Sequence, residues 1–234
     1  MTMTRIFPLA LAAVLLFGAG AASAESLIVV EARGVGLKPG STVDSTKPLV
    51  LQQGQHVTLI SNAGATLSID GPYNQPPSAG GGGKSLGATI AALGTEHNAR
   101  TGEAGVTRTG GKPNTLPEPW LFDVTRSGNV CLQENAQPVF WRPDATTKAS
   151  LTVMPVDRSW KSQAVWPAGL AQLTVTTDVP VHGGAAYVVN YGGADYALAV
   201  STVPASLSND QMRAAWMVQK GCEAQAEALL RPRK

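Results

Sequence analysis

The sequence predicts a mainly β protein with a C-terminal helix, and three observations carry that prediction. Short runs of Val, Leu, Ile and Thr recur between turn residues, as in small barrels and sandwiches. Glycine and proline are frequent, at 25 and 16 residues, whereas only 15% of residues are charged, which is typical of many short strands joined by turns. The last segment has apolar residues at helical spacing. We therefore expect two antiparallel β regions, a small barrel or meander and a β-sandwich, followed by a helix.

Residues 1–24 have the three-part plan of an export signal. Arg5 supplies the positive start, an apolar stretch follows to Ala22, and Ala22 and Ala24 are the small residues that a signal peptidase requires. A retained anchor is the alternative, but the bulky apolar part, Ile6 to Phe17, is short for a bilayer span. We expect cleavage after Ala24, a mature chain in the periplasm or the medium, and no membrane span after cleavage.

The charge balance of the mature chain excludes one class of partner. Removing residues 1–24 takes away one arginine and no acidic residue, which leaves 17 basic and 16 acidic side chains, a net charge of +1. A chain with so little net charge lacks the excess of basic residues that nucleic-acid binding requires. The remaining length allows one large β domain or two small ones.

Residues 25–73 predict the first β region. Strands are expected at 27–30, 48–51, 55–60 and 65–70, with turn residues between them. In the last two, apolar and polar residues alternate, for example Val57 and Leu59 against His56 and Thr58. Period two predicts one buried face and one exposed face.

The residue pattern of this region resembles a FecR-type β-domain. The pattern consists of Leu51, Gly54, Val57 and Leu59, and then of Gly64, Leu67, Ile69, Gly71, Pro72 and Tyr73. The chain as a whole resembles a group of exported bacterial proteins of uncharacterised function. That second likeness lies in Trp120 after a proline, Cys131, residues 140–143, residues 166–169 and Gly221-Cys222. Because one fold hosts many functions, the resemblance implies fold more than activity.

Residues 74–119 predict a Gly- and Pro-rich excursion, partly disordered, with one short helix near residues 85–93. Its run from Gly80 to Ser85 is similar to a phosphate-binding loop. However, Ser78 stands where that motif has its first glycine, and turn residues rather than a strand precede it. We therefore interpret the run as a flexible linker.

Residues 120–205 predict a β-sandwich, and residues 206–234 a helix packed on it. Strands are expected near 120–124, 130–132, 139–141, 151–154, 164–166, 173–176, 187–189 and 196–200. The helix would begin at a Ser208 cap with Gln211 as its capping-box partner, and end before Pro232.

Cys131 and Cys222 predict a disulfide, because a pair of cysteines in an oxidising compartment usually forms one. Such a bridge would join the helix to the sandwich. Two free redox-active thiols are the alternative, and the chain has no Cys-x-x-Cys motif to favour it.

No catalytic, cofactor-binding or metal-binding constellation is predicted. His56, His97 and His182 lie far apart, and none has a second ligand at metal spacing. The carboxylates Asp70, Glu118, Asp123 and Asp195 are dispersed, and sequence alone leaves open whether two of them meet in space as in a hydrolase.

The five tryptophans suggest either core packing or a binding surface. They are Trp120, Trp141, Trp160, Trp166 and Trp216. Trp160 lies in the polar context of residues 157–161, and it is our candidate for contact with a partner. We expect a non-catalytic interaction or scaffold module whose partner is an envelope protein. The alternatives are a glycan or cell-wall binding module and a hydrolase.

Overall fold

A computed structural model describes residues 25–77, 85, 115–174 and 180–232. Within them the chain forms four β-sheets and two C-terminal α-helices. The fold is mainly β, as predicted. No helix in these ranges is long and apolar enough to cross a membrane.

The first β region consists of six strands in two sheets. They are β1 (Ser26–Arg33), β2 (Thr42–Asp44), β3 (Leu49–Leu51), β4 (His56–Ile60), β5 (Thr66–Asp70) and β6 (Tyr73–Gln75). Four of them form an antiparallel sheet in the order β2-β1-β4-β5, and β3 pairs with β6. Strand β6 corrects our expectation that the excursion begins at Asn74: residues 74 and 75 pair with Val50 and Leu49.

The prediction of one exposed face for this sheet was wrong at one end. One face packs into a local core that includes Leu27, Val57 and Leu59. The other face carries Ile28 and Ile60, which pack against the C-terminal helices. Both faces of the sheet are therefore partly buried. The C-terminal helices cover Ile28 and Ile60 on the face that the alternating pattern predicts to be exposed.

The second β region is a sandwich of two sheets. Its strands are β7 (Leu121–Asp123), β8 (Gly128–Gln133), β9 (Val139–Trp141), β10 (Ala149–Pro155), β11 (Ser162–Trp166), β12 (Gln172–Thr174), β13 (Ala186–Tyr191) and β14 (Ala194–Val203). The five-stranded sheet has the order β11-β10-β13-β14-β8, and the three-stranded sheet the order β12-β9-β7. Most pairs are antiparallel, but β14 with β8 and β7 with β9 are parallel.

The core of the sandwich lies between the two sheets. Phe122 and Phe140 of the three-stranded sheet meet edge to face at 5.8 Å and pack against side chains such as Val189 and Leu198 of the larger sheet. The gap that these residues line has no room for a water molecule. This part of the core is therefore close-packed.

The C-terminal segment forms two helices, α1 (Asp210–Gln219) and α2 (Glu223–Leu230), instead of the single helix predicted. The cap of α1 is Asn209 rather than Ser208, because the Asn209 side chain accepts the Met212 amide at 2.9 Å.

Gly221 ends α1 with a left-handed backbone at φ +75°. Its N–H donates to the Val218 carbonyl, and the Cys222 N–H donates to the Met217 carbonyl at 2.7 Å. These two hydrogen bonds define a Schellman motif. A Cβ at position 221 would lie 2.4 Å from the Asn129 side-chain nitrogen. The break therefore favours glycine for its left-handed backbone, and a Cβ would also have to displace the end of the exposed Asn129 side chain.

Helix α1 lies between the two β regions. Its buried face includes Met212, Trp216 and Met217, which share one hydrophobic cluster with Ile28 of β1 and Val203 of β14. Trp216 also donates its ring N–H to the Thr202 carbonyl at 3.0 Å. The helix thus packs on strand β14 of the sandwich and on the first sheet as well.

Candidate functional site

The predicted disulfide is confirmed. Cys131 and Cys222 are bridged with a Cα–Cα distance of 5.9 Å across 91 positions of sequence. Both residues are buried, at 0% and 1% exposure. The bridge fixes the junction of α1 and α2 against β8, which gives it a structural role.

A buried glutamine next to this bridge covers one edge of the five-stranded sheet. Gln225 of α2 accepts the Cys131 N–H at 2.6 Å and donates to the Cys131 carbonyl at 2.9 Å. A side-chain amide carries one acceptor and donors like those of a peptide group, so it substitutes here for a neighbouring strand. The β8 edge is therefore covered at Cys131.

A buried arginine organises the opposite side of the sandwich. Arg142 is fully buried and forms no salt bridge with a described residue. Its Nε, Nη1 and Nη2 donate to the carbonyls of Leu170 at 3.1 Å, Thr147 at 2.8 Å and Pro167 at 2.7 Å. The guanidinium lies 4.9 Å from the ring centroid of Trp166. Residues 140–143 and 166–169, which carry part of the sequence resemblance, thus meet here.

These contacts fix the loop that follows β11. We call residues 167–171 the corner loop. The Trp166 ring N–H also donates to the Leu170 carbonyl at 2.8 Å, and the Gly169 N–H to the Ala145 carbonyl at 2.7 Å. Because these main-chain groups are held from inside, the uncharged side chains of the loop face outward, and Leu170 is 49% exposed. The corner loop is therefore a rigid apolar surface, which suits recognition better than a flexible one.

Asp144 lies in the loop before β10 and is held by its own turn. The hydrogen bond from the Thr146 hydroxyl, and then that from the Thr146 amide, lower the pKa of the Asp144 carboxyl, with a smaller contribution from the charge of Arg142. The carboxylate is exposed and does not reach Arg142 as an ion pair. The buried cation is thus solvated by carbonyl oxygens and an aromatic face.

Strand β11 is the other exposed feature of this side. It lies at the end of the five-stranded sheet and pairs with β10 alone. Among the described residues, no hydrogen bond reaches its outward backbone edge, which we call the open edge. Its sequence, Ser-Gln-Ala-Val-Trp, contains no charge and no proline. Val165 is 59% exposed beside it.

The other described edge strands are short, carry a charge within the strand or are partly covered. Strand β8 is bonded at Cys131 by Gln225, strands β2, β3, β6, β7 and β12 have only three residues each, and β5 ends in the charged Asp70. Short, charged or covered edges are the usual protection against pairing with another chain. The corner loop and the open edge together form our candidate interaction site.

Trp160 lies at the other end of the β10–β11 hairpin. It is half-buried in the sandwich cluster, and its ring lies 5.9 Å from that of Tyr187. Trp141, Trp166 and Trp216 are buried, and Trp120 is half-buried. No tryptophan is therefore an exposed platform, and core packing explains most of them.

The histidines do not come together. The His56 ring contacts Asp70 at 2.7 Å and the Thr58 hydroxyl at 3.0 Å. The order acid, imidazole, hydroxyl is that of a nucleophilic triad, but Thr58 is only 6% exposed. We therefore interpret the trio as a cross-strand hydrogen-bond network. His182 contacts the Gly183 carbonyl, and His97 lies outside the described residues.

The four carboxylates singled out by sequence bind different partners. Asp70 pairs with His56. Glu118 accepts Gln172, Asp123 accepts Thr125 and Arg126, and Asp195 accepts Asn190. The described residues contain no cluster of three or more His, Cys, Asp or Glu side chains that could hold a metal. The phosphate-loop-like run at Gly80–Lys84 lies outside the described part of the chain.

Comparisons with known proteins give no family to which the chain belongs. It matches no protein-family model, no curated protein and no solved structure. The FecR-like resemblance therefore stays a prediction from the residues that carry it.

Sequence reasoning missed the residues that shape the candidate site. Arg142 is charged and Gln225 is polar, and such residues are usually exposed. The closeness of Arg142 to Trp141 and Pro143 in an apolar run was the available signal. No local signal marks Gln225, because its partner backbone is 94 residues away.

Proposed function

We propose that this chain is an exported, non-catalytic interaction module of the cell envelope, and that it binds a partner protein through the open edge and the corner loop. The observation that supports this proposal best is the buried Arg142 cation, held by three carbonyls. A buried charge is costly. Here the buried charge holds the exposed, apolar corner loop in place beside strand β11, whose outer edge has no described partner.

Two physical features make this surface suited to a protein partner. Removing exposed apolar surface from water favours association, and Leu170 and Val165 offer such surface at 49% and 59% exposure. Rigid loops also lose less conformational entropy on binding. Glycan binding and hydrolysis, the alternatives, have no comparable support, because the described residues offer neither an exposed tryptophan nor a carboxylate pair in a cavity.

Trp160 stays a proposed contact at the far end of the same hairpin. Because it packs on Tyr187, Trp160→Ala would remove core packing together with any partner contact. Trp160→Phe preserves the ring contact, so a loss of partner affinity shared by both variants, with only the alanine variant less stable, would assign the indole to the interface.

Site-specific photo-crosslinking in living cells tests the proposal. The photoreactive residue replaces Val165 or Leu170, and Val50 serves as the matched control because it is 62% exposed on β3 of the other β region. We expect one partner, identified by mass spectrometry, to be captured from positions 165 and 170 but not from position 50.

The purified partner then provides the quantitative test. We expect Leu170→Asp to weaken its binding at least about tenfold, because it places an unpaired charge in the interface, and Val50→Asp to leave it unchanged. Identical adducts from all three positions, or none from 165 and 170, would refute the proposed function. Mass spectrometry of the mature protein, with Glu25 as its first residue, tests export.

A further inference from the structure

We infer that the partner adds an extended strand to the open edge of β11, and that this strand has an uncharged centre with acidic residues at both ends. This inference rests on the proposed function and specifies the chemistry of the partner. The backbone edge and the charges at its two ends carry it.

The open edge offers main-chain hydrogen bonds along the whole of β11. Ala164 packs toward the core, and its neighbours Gln163 and Val165 are exposed on the outer face of the sheet. Alternate backbone groups on the side away from β10 have no partner among the described residues. An added strand would satisfy these groups, and its side chains would meet uncharged neighbours.

Two lysines bracket this uncharged strand. Lys161 immediately precedes β11, and Lys148 immediately precedes β10, whose first residue, Ala149, pairs with Trp166 at the end of β11. Both lysines are exposed, and neither forms an ion pair within the described ranges. One lysine therefore stands near each end of the open edge, with the exposed Asp144 in the loop beyond Lys148 and the exposed Asp157 in the turn beyond Lys161. The two lysines are adjacent in sequence to the strand ends, and they favour an incoming segment with an acid at each end.

The same charges disfavour a second copy of this chain as the occupant. Antiparallel pairing of two β11 strands around Ala164 would place Lys161 of one copy opposite Pro167 of the other. Lys148 lies beside that proline on β10, so two lysines would face the same side of the sheet about 10 Å apart, at two strand spacings. The symmetry would repeat this repulsion at the other end.

Peptide binding to the mature, oxidised protein tests the inference. The probe has a central Thr-Val-Thr-Val-Thr run with two aspartates at each end, and the matched control has lysines in place of the aspartates. A third peptide keeps the aspartates but is N-methylated at all five central residues, which removes the donors of both edges. Binding is measured by fluorescence anisotropy, and its location by amide exchange of β11.

We expect the acidic peptide to bind at least about fivefold tighter than the lysine peptide at low salt, with the difference falling as salt screens the charges. Lys148→Ser with Lys161→Ser should abolish the preference, and N-methylation should abolish binding. The acidic peptide should also protect alternate β11 amides from exchange.

Several results would overturn the inference. Equal binding of the acidic and lysine peptides removes the charge requirement, and full binding of the N-methylated peptide removes strand addition. Sedimentation of a dimer that protects β11 amides would assign the edge to a second copy. If no peptide binds while crosslinking from position 165 captures a partner, the interaction module stands and strand addition fails. If crosslinking also captures nothing, the proposed function fails with it.

Discussion

Gln225→Leu tests whether one side chain covers the β8 edge at Cys131. The substitution keeps roughly the same volume but leaves the Cys131 N–H and carbonyl without the partners that they have at 2.6 and 2.9 Å. Gln225 is 2% exposed, and Cys131 is fully buried, so water does not replace these partners readily. Two orphaned backbone groups cost about 1–3 kcal/mol each.

The expected net loss of stability is about 3 kcal/mol, because the apolar leucine offsets part of the penalty. In a domain of this size, that corresponds to a melting temperature lower by about 6–12 °C. Urea unfolding of the oxidised protein measures it. Gln219→Leu is the matched control, since Gln219 is exposed on α1, and its effect should stay within about 0.5 kcal/mol.

Gln225→Glu adds a pH signature to the same test. The ionised carboxylate can accept the Cys131 N–H but cannot donate to the Cys131 carbonyl. Burial beside that carbonyl favours the protonated form, so the introduced carboxyl has a raised pKa in the folded state. Its stabilising contribution is present below the unfolded pKa of about 4.3 and is lost as the pH rises through the folded pKa. The reasoning would be refuted if the unfolding free energy of Gln225→Leu lay within about 0.5 kcal/mol of wild type. It would also be refuted if the stability difference between Gln225→Glu and wild type did not change with pH.

Three further predictions concern local structure. Gly221→Ala should cost slightly more than Gly54→Ala, because both have positive φ but a Cβ at position 221 must also displace the end of the exposed Asn129 side chain; the left-handed backbone alone costs about 1–2 kcal/mol, and a larger loss for Gly54→Ala in urea unfolding would contradict this. Arg142→Lys should destabilise the protein by about 2–4 kcal/mol and speed amide exchange in the corner loop, since the compact lysine ammonium cannot span the three separate carbonyls that the planar guanidinium reaches; unchanged loop exchange would show that Arg142 does not order the corner loop. The pKa of the Asp144 carboxyl is lowered by Thr146 from 3.8, so its contribution is present above that pH and is lost as the pH falls through the folded pKa; the difference in urea midpoint between wild type and Asp144→Ala should therefore shrink below about pH 3.8, and a constant difference would count against it.

The sequence predicts local elements well where the residue pattern itself determines them. Strand β9 spans residues 139–141 as expected, because Val, Phe and Trp prefer a pleated surface. The disulfide also followed from residue chemistry and the expected compartment. In both cases the information lies within the residues concerned.

Long-range features escaped prediction for a physical reason. The parallel pairing of β14 with β8 joins Val200 to Val130 across the chain, and no local periodicity encodes that choice of neighbour. The close approach of Gly221 to Asn129 of β8 depends on tertiary packing. Arg142 is buried because three carbonyls from distant loops converge on it, and that convergence exists only in the folded chain.

Amide hydrogen exchange of β11 in the free, mature protein tests the central claim most directly. If the β11 edge is open in the whole chain, alternate amides of residues 162–166 should exchange without protection, while those of β10 and β13 stay protected within the sheet. Protection of every β11 amide in the monomer would show that this chain already covers the edge, and it would contradict both the proposed site and the strand-addition inference.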